Sequence, residues 1–256
     1  RSPGWGRTSW PICAPPSGSH IEIMAPGNPE TPLSQSVQRF IDRRGEGHFA
    51  LMLEAAEPDL EAADLLGRGL NVLPRMEGAG GRDVHPNSTH GVLIRVYPTD
   101  SIVDVLPPGQ LDGVESSALS GIQRVILAVA NLDNALITYG EQFAMQVSAP
   151  IVSDALGVRS ALCKPPGGGA IELMEVHNGN RVFSAALEES LASRGEGIYA
   201  LVLRSGERSE IEQVLAEAGI GTTAVAGLEA NLELDRKAVN GARFWVEVTG
   251  GRRYES

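Results

Sequence analysis

Residues 121–136 read GIQRVILAVANLDNAL, and this stretch sets the fold. Gly121 to Val129 is a run rich in Val, Ile and Leu of the kind a buried strand carries. From Asn131 to Met145 the apolar period changes. Leu136, Tyr139, Phe143 and Ala144 recur at helical spacing, with Asp133 near the start, which predicts a helix. Outward from this strand and helix, short strands are expected around 146–153, 159–164 and 170–176, with Gly and Pro between them. The loop Pro165–Gly169 reads as a hairpin turn. The pattern then restarts, with a strand at 197–203, a helix at 209–218 ended by Gly219, and strands near 222–226, 232–234 and 242–248. Each half of the segment is one β-α-β-β-β unit.

The same pattern stands earlier in the chain at one fixed offset. IEIM at 21–24 matches IELM at 171–174, and RGEG at 44–47 recurs at 194–197, both 150 positions on. Cys13-Ala14-Pro15-Pro16 matches Cys163-Lys164-Pro165-Pro166, Gly69 matches Gly219 and Gly91 matches Gly241 in the same register. We read a tandem duplication. In the first copy a strand is expected at 47–53, a helix at 60–68, and strands at 71–74, 82–85 and 91–97. Partners for residues 121–150 would fall before Arg1, so the first copy is read as lacking its opening strand and helix. The expected organisation is an N-terminal domain over 1–98, a linker over 99–120 containing Pro107, Pro108 and Gly109, and a C-terminal domain over 121–256. The open sheet edge so left predicts pairing or dimerisation through residues 20–60.

Composition narrows the function. The 256 residues carry 21 Lys plus Arg against 32 Asp plus Glu, a net charge of -11, which disfavours nucleic acid and anionic membrane surfaces as partners. No apolar run is long enough to cross a bilayer. Two Cys make no disulfide scaffold, so a cytoplasmic location is the default expectation.

The opening GIQRVILAVANLDNAL resembles the module start of the vicinal oxygen chelate superfamily, G-I-D-H-V-x-I-A-V-x-D-L-D-x-A. That superfamily includes glyoxalase I, methylmalonyl-CoA epimerase, extradiol dioxygenases and bleomycin-resistance proteins. IEIMAP, RRGEGHFALML and HPNSTHGVLIRV are similar to stretches of methylmalonyl-CoA epimerase. The resemblance implies an α+β fold in which tandem βαβββ modules form two cup-shaped mixed sheets, the first module incomplete. It also implies a divalent metal held by His and Glu or Gln on the first and last strands of paired modules. Carried over position by position, the second domain presents Arg124, Glu172, Ala200 and Trp245, and the first Glu22, Ala50 and Arg95. One carboxylate per domain is too few for a catalytic metal.

We therefore expect no cofactor, with Glu172, Glu22 and His48 as weak metal candidates. His48 shares a strand face with Ala50 and is within reach of Glu22; otherwise it is a strand-end residue. His85 and His90 flank a turn and are expected to face solvent, while His20 and His177 sit at strand ends. Arg124 and Glu172 belong to neighbouring strands and are expected to pair where the metal would sit, with Arg95 and Glu22 as a looser counterpart. Two readings stand: the pair is structural, or Arg124 recognises an anionic or carbonyl-bearing ligand. Trp245 fills volume or stacks on a flat ligand. Cys13 and Cys163 read as small strand residues rather than nucleophiles. RGEG lacks the phosphate-loop pattern and reads as a turn from helix to strand. The function expected is a metal-free glyoxalase-like protein that binds a small organic ligand in its C-terminal cup. The alternative is a metal-dependent lyase, epimerase (isomerase) or dioxygenase of the same superfamily with non-standard ligands. A purely structural or subunit role is the third class.

Overall fold

The computed structural model of the protein describes residues 12–13, 20–75, 81–99 and 119–248. The first half runs β1 (Ile12–Cys13), β2 (Ile21–Glu22), α1 (Pro32–Arg44), β3 (Ala50–Ala55), α2 (Pro58–Gly67), β4 (Arg82–Val84) and β5 (Leu93–Pro98). The second half opens with β6 (Leu119–Ala128), α3 (Leu132–Leu136), β7 (Gln146–Val147), β8 (Ile151–Ser153), β9 (Val158–Lys164) and β10 (Ile171–Val176). It continues with α4 (Val182–Arg194), β11 (Gly197–Ser205), α5 (Arg208–Glu217), β12 (Thr222–Val225), β13 (Leu228–Leu234) and β14 (Phe244–Val248). The order is that of βαβββ units, and the fold class is mixed α+β.

In the second half both units join in one open sheet of order β12-β13-β14-β11-β6-β10-β9-β7, with β8 also on β9. β6 and β11 meet antiparallel at its centre, while β6–β10 and β11–β14 are parallel pairs. Val, Ile and Leu alternate along β6 so that both faces are apolar. Val125, Leu127 and Val129 face one way with Leu173, Ile126 and Ala128 the other with Met174 and Trp245. Phe183 and Leu187, one helical turn apart on α4, pack on the second face.

The first half forms a three-stranded sheet, β3-β5-β4, and its registers repeat those of the second half 150 positions on. Cys13 pairs Ile21 as Cys163 pairs Ile171, and Met52 pairs Arg95 as Val202 pairs Trp245. The glycine turns repeat as well. Gly45 and Gly195 end α1 and α4 with φ of 72° and 75°, a left-handed conformation that glycine adopts without a Cβ penalty. That is the helix-to-strand turn expected of RGEG. Among the described residues β3 pairs only β5, whereas its counterpart β11 pairs both β14 and β6.

The halves share one core. Leu65, Leu70, Val84, Val92, Ile94 and Val96 lie in the same buried cluster as Val125, Leu127, Tyr139 and Leu173. Contacts across the seam are reciprocal. A Cβ on Gly91 would overlap the carbonyl oxygen of Glu196, and one on Gly241 would lie 2.9 Å from that of Glu46. One on Gly47 would stand 3.1 Å from Arg194 Nη2, and one on Gly197 2.7 Å from Arg44 Nη1. RGEG is thus a seam element as well as a turn.

Some expectations need correction. The helix expected over 131–145 is α3 followed by a π-helical turn, Ile137–Gln142. The wider turn sets Tyr139 to donate its hydroxyl to the Thr89 carbonyl at 3.0 Å across the seam. The strand expected at 71–74 is only a single bridge, Val72 to Val84. Helices α1 and α4 come in addition to the elements expected from sequence. The expected linker lies almost wholly outside the described residues, as do the Pro and Gly that marked it.

Candidate functional site

The positions that the resemblance singled out in the second half lie together on the α4-covered face of the sheet. Arg124 on β6 and Trp245 on β14 both pair with Val202 of β11, so the three form a row across adjacent strands. Glu172, on β10 at the other side of β6, is 3% exposed. Arg124 Nε donates to Glu172 Oε2 at 2.8 Å, and its Nη1 reaches over β11 to a carboxylate oxygen of Glu247. Gln123 completes the cluster, accepting from Arg124 Nη1 at 2.6 Å and donating to Glu247 at 3.2 Å. One guanidinium therefore ties β10 to β14 across two intervening strands. Each carboxylate it holds would be costly to bury alone.

The remaining positions are filled with apolar groups. Ala200 and Trp245 are 0% and 1% exposed, and the Trp245 ring lies 5.8 Å from that of Phe183 and 5.9 Å from that of Tyr199. Its indole Nε1 donates to Glu233 Oε2 at 3.1 Å. Burial pushes the pKa of Glu233 up, but Arg236, Arg243 and this indole outweigh it and hold the carboxyl below its ordinary range.

The first half is built differently. Arg95, the counterpart of Trp245, has Nη1 within 3.2 Å of the Asp83 carboxylate. Asp83 is itself the counterpart of Glu233, so in both halves the last strand is fastened to a carboxylate on the strand beside it. Arg95 thus pairs with Asp83, and its charge also acts on Glu22. Burial pushes the pKa of Glu22 up, against the lowering effect of the Arg95 charge. Ala50 sits on β3 opposite Leu93, partly buried.

The histidines lie elsewhere. His48 Nε2 donates to the Arg243 carbonyl at 2.9 Å, and its ring packs edge-on to Phe244 at 5.1 Å, so it belongs to the seam rather than to Glu22. Burial pushes its pKa down. His90 does not face solvent. Its Nδ1 lies 3.0 Å from Glu196 Oε1 and its Nε2 lies 3.3 Å from the Thr138 hydroxyl. His85 Nδ1 accepts from the Asn87 amide at 3.1 Å and begins a 3-10 turn. Cys163 is buried, which raises its thiol to about 11, far from a nucleophile's range.

Paired βαβββ units meeting through antiparallel first strands, each with its last strand parallel to its first, are the arrangement that the resemblance implies. The fold is of the vicinal oxygen chelate type. No family model matches the chain, and no curated protein matches it either. Solved structures do. Methylmalonyl-CoA epimerase from Mycobacterium tuberculosis is 23% identical over 54% of this chain and 93% of its own, with a TM-score of 0.44. A hypothetical protein from Bacillus halodurans C-125 is 17% identical over 52% and 97%, TM-score 0.45. A Streptomyces coelicolor methylmalonyl-CoA epimerase variant, in complex with 2-nitronate-propionyl-CoA, is 18% identical over 52% and 99%, TM-score 0.42.

At the positions that the resemblance singles out in the second half, Glu172 is the one carboxylate among Arg124, Ala200 and Trp245. A catalytic ion takes three or so N or O donors with one position open. Here Glu172 is engaged by Arg124, and Ala200 and Trp245 offer no lone pair. Among the described residues no three His, Cys, Asp or Glu side chains are grouped to hold an ion. Also among them, no helix is long and apolar enough to cross a membrane. Sequence reasoning missed Glu247, Asp83 and Glu233. Strand alternation carried the signal, because Glu247 lies two positions after Trp245 and must share its face.

Proposed function

We propose that the chain is a metal-independent, glyoxalase-like binding protein for a small organic ligand, arisen by tandem duplication, in which the Arg124 clamp stands where the resemblance of the sequence implies a metal. The observation that carries the reading is the 2.8 Å bond from Arg124 to Glu172, the only carboxylate at the metal positions of the second half. A guanidinium between two carboxylates bonds to both without an ion. The face it occupies is closed over by Phe183, Leu187 and Trp245, which favours the structural reading of the clamp over direct ligand recognition by Arg124. The ligand itself is proposed to be met elsewhere on the scaffold. A homodimer through the side of β3 away from β5 is proposed with it, to be checked by size-exclusion chromatography.

Metal analysis tests the reading. The purified protein, never exposed to chelator, should carry far less than one equivalent of Fe, Ni, Zn, Mn or Co by mass spectrometry, and adding each ion should leave its melting temperature unchanged. A stoichiometric ion lost on Glu172→Gln substitution would replace the reading with a metalloenzyme.

A further inference from the structure

A cleft of about 310 Å³ opens at the seam, lined among others by His48, Tyr199, Arg194, Arg236 and Arg243. In a chain of net charge -11, three guanidiniums converging on one concavity are a local exception. Two of them are partly neutralised. Arg236 Nε lies 2.8 Å and Arg243 Nε 3.4 Å from the same oxygen of Glu233, and the Arg243 guanidinium rests 3.9 Å over the Tyr199 ring. Glu189 also lines the cleft, as an exposed residue on α4.

Arg194 differs. Its counterpart Arg44 donates to the Glu196 carbonyl at 3.0 Å and the Gly91 carbonyl at 3.4 Å across the seam. Arg194 makes no such bond and has no hydrogen-bond or ion-pair partner among the described residues, though it is partly buried. Burial and then the positive charges of Arg44, Arg236 and Arg243 push its pKa down. Cations so crowded are stabilised by an anion from outside. The arrangement is also one-sided, because the counterparts of Arg236 and Arg243 are Pro86 and Leu93.

We propose that this cleft binds the oxyanion group, phosphate or carboxylate, of a small molecule, with Arg194 as the principal donor and Arg236 and Arg243 beside it. The planar guanidinium suits either group, and the volume lies at the lower bound for small-molecule sites, which begin near roughly 300 Å³. The cleft rests on the ligand-binding reading and is independent of the metal question.

Melting temperature is the readout, with the full chain in inorganic phosphate, in malonate and in sodium chloride of equal ionic strength. We expect one or both oxyanions to raise the melting temperature by about 2–4 °C over chloride, since a ligand bound by the folded state stabilises it. Arg194→Gln should abolish the rise, and Arg208→Gln, on α5 and outside the cleft lining, should leave it intact. A rise with phosphate alone assigns a phosphorylated ligand, and one with malonate assigns a carboxylate. No rise over chloride, or an equal rise in Arg194→Gln and the parent, overturns the proposal. Should Arg194→Gln fail to fold, Arg236→Gln takes its place: a weakened rise supports the cleft, and an undiminished one overturns it. Binding of uncharged organic compounds without any oxyanion effect would sink the cleft while leaving the ligand-binding reading in place.

Discussion

The carbonyl oxygen of Glu196 occupies the space that a side chain on Gly91 would need. Gly91 also has φ of 75°, where an L side chain is strained by roughly 1–2 kcal/mol before any contact is counted. Gly91→Ala must push apart two backbones at the seam, and we expect a loss of about 3 kcal/mol or more by chemical denaturation. Gly45→Ala is the control. It has a similar φ of 72° with nothing within 4 Å of the added carbon, so only backbone strain, about 1–3 kcal/mol, should appear. Equal losses at the two positions would contradict the seam.

The clamp makes a second prediction. Arg124→Met strands two largely buried carboxylates and should cost about 3–5 kcal/mol, while adding Glu172→Met should recover a large part of that loss. A double-mutant cycle measures the coupling. Additive losses would mean that the pair does not act as a unit.

Stability at acid pH should depend on Glu196. His90 and then the Ala130 amide hold its carboxyl below the ordinary value of 4.5, against the effect of burial. A depressed folded-state pKa contributes stability that is present above the unfolded value and lost as pH falls through the folded one. The destabilisation caused by Glu196→Gln should therefore be largest near neutrality and shrink below about pH 4.5. A difference that stays constant from pH 7 to pH 3 would argue against the bridge.

Cys163 supplies a chemical check. With its thiol buried and raised to about 11, peptide-resolved alkylation at pH 7.5 should leave it unmodified until denaturant unfolds the chain. Rapid labelling of the native protein would reopen the question of a nucleophile.

Much of this architecture is legible in residue patterns. The buried runs of β6 and β10 stand out by their Val, Ile and Leu, and the fixed offset ties the first half to the second. The Arg124–Glu172 contact follows from the strand adjacency that the resemblance implies. What escapes has a common physical cause, namely residues whose roles come from a distant part of the chain. In α4 the apolar Phe183 and Leu187 are diluted by serines and glutamates, and the buried Ser184 is silent in hydropathy. The Arg95–Asp83 pair comes from the register of β4 on β5, where the two residues stand opposite each other, and no motif announces that register. His90 reads as a solvent-facing turn residue until Glu196, 106 positions later in the chain, meets it. Arg194 and Arg243 acquire meaning only where the seam closes.

The reciprocal glycine contacts have a further consequence. Between identical subunits, every substitution at such a junction appears twice and must be tolerated on both sides at once. Joined end to end, the halves escape that constraint, and each can drift while its neighbour stays fixed. Arg95 against Trp245, and Pro86 against Arg236, are positions at which the two halves differ.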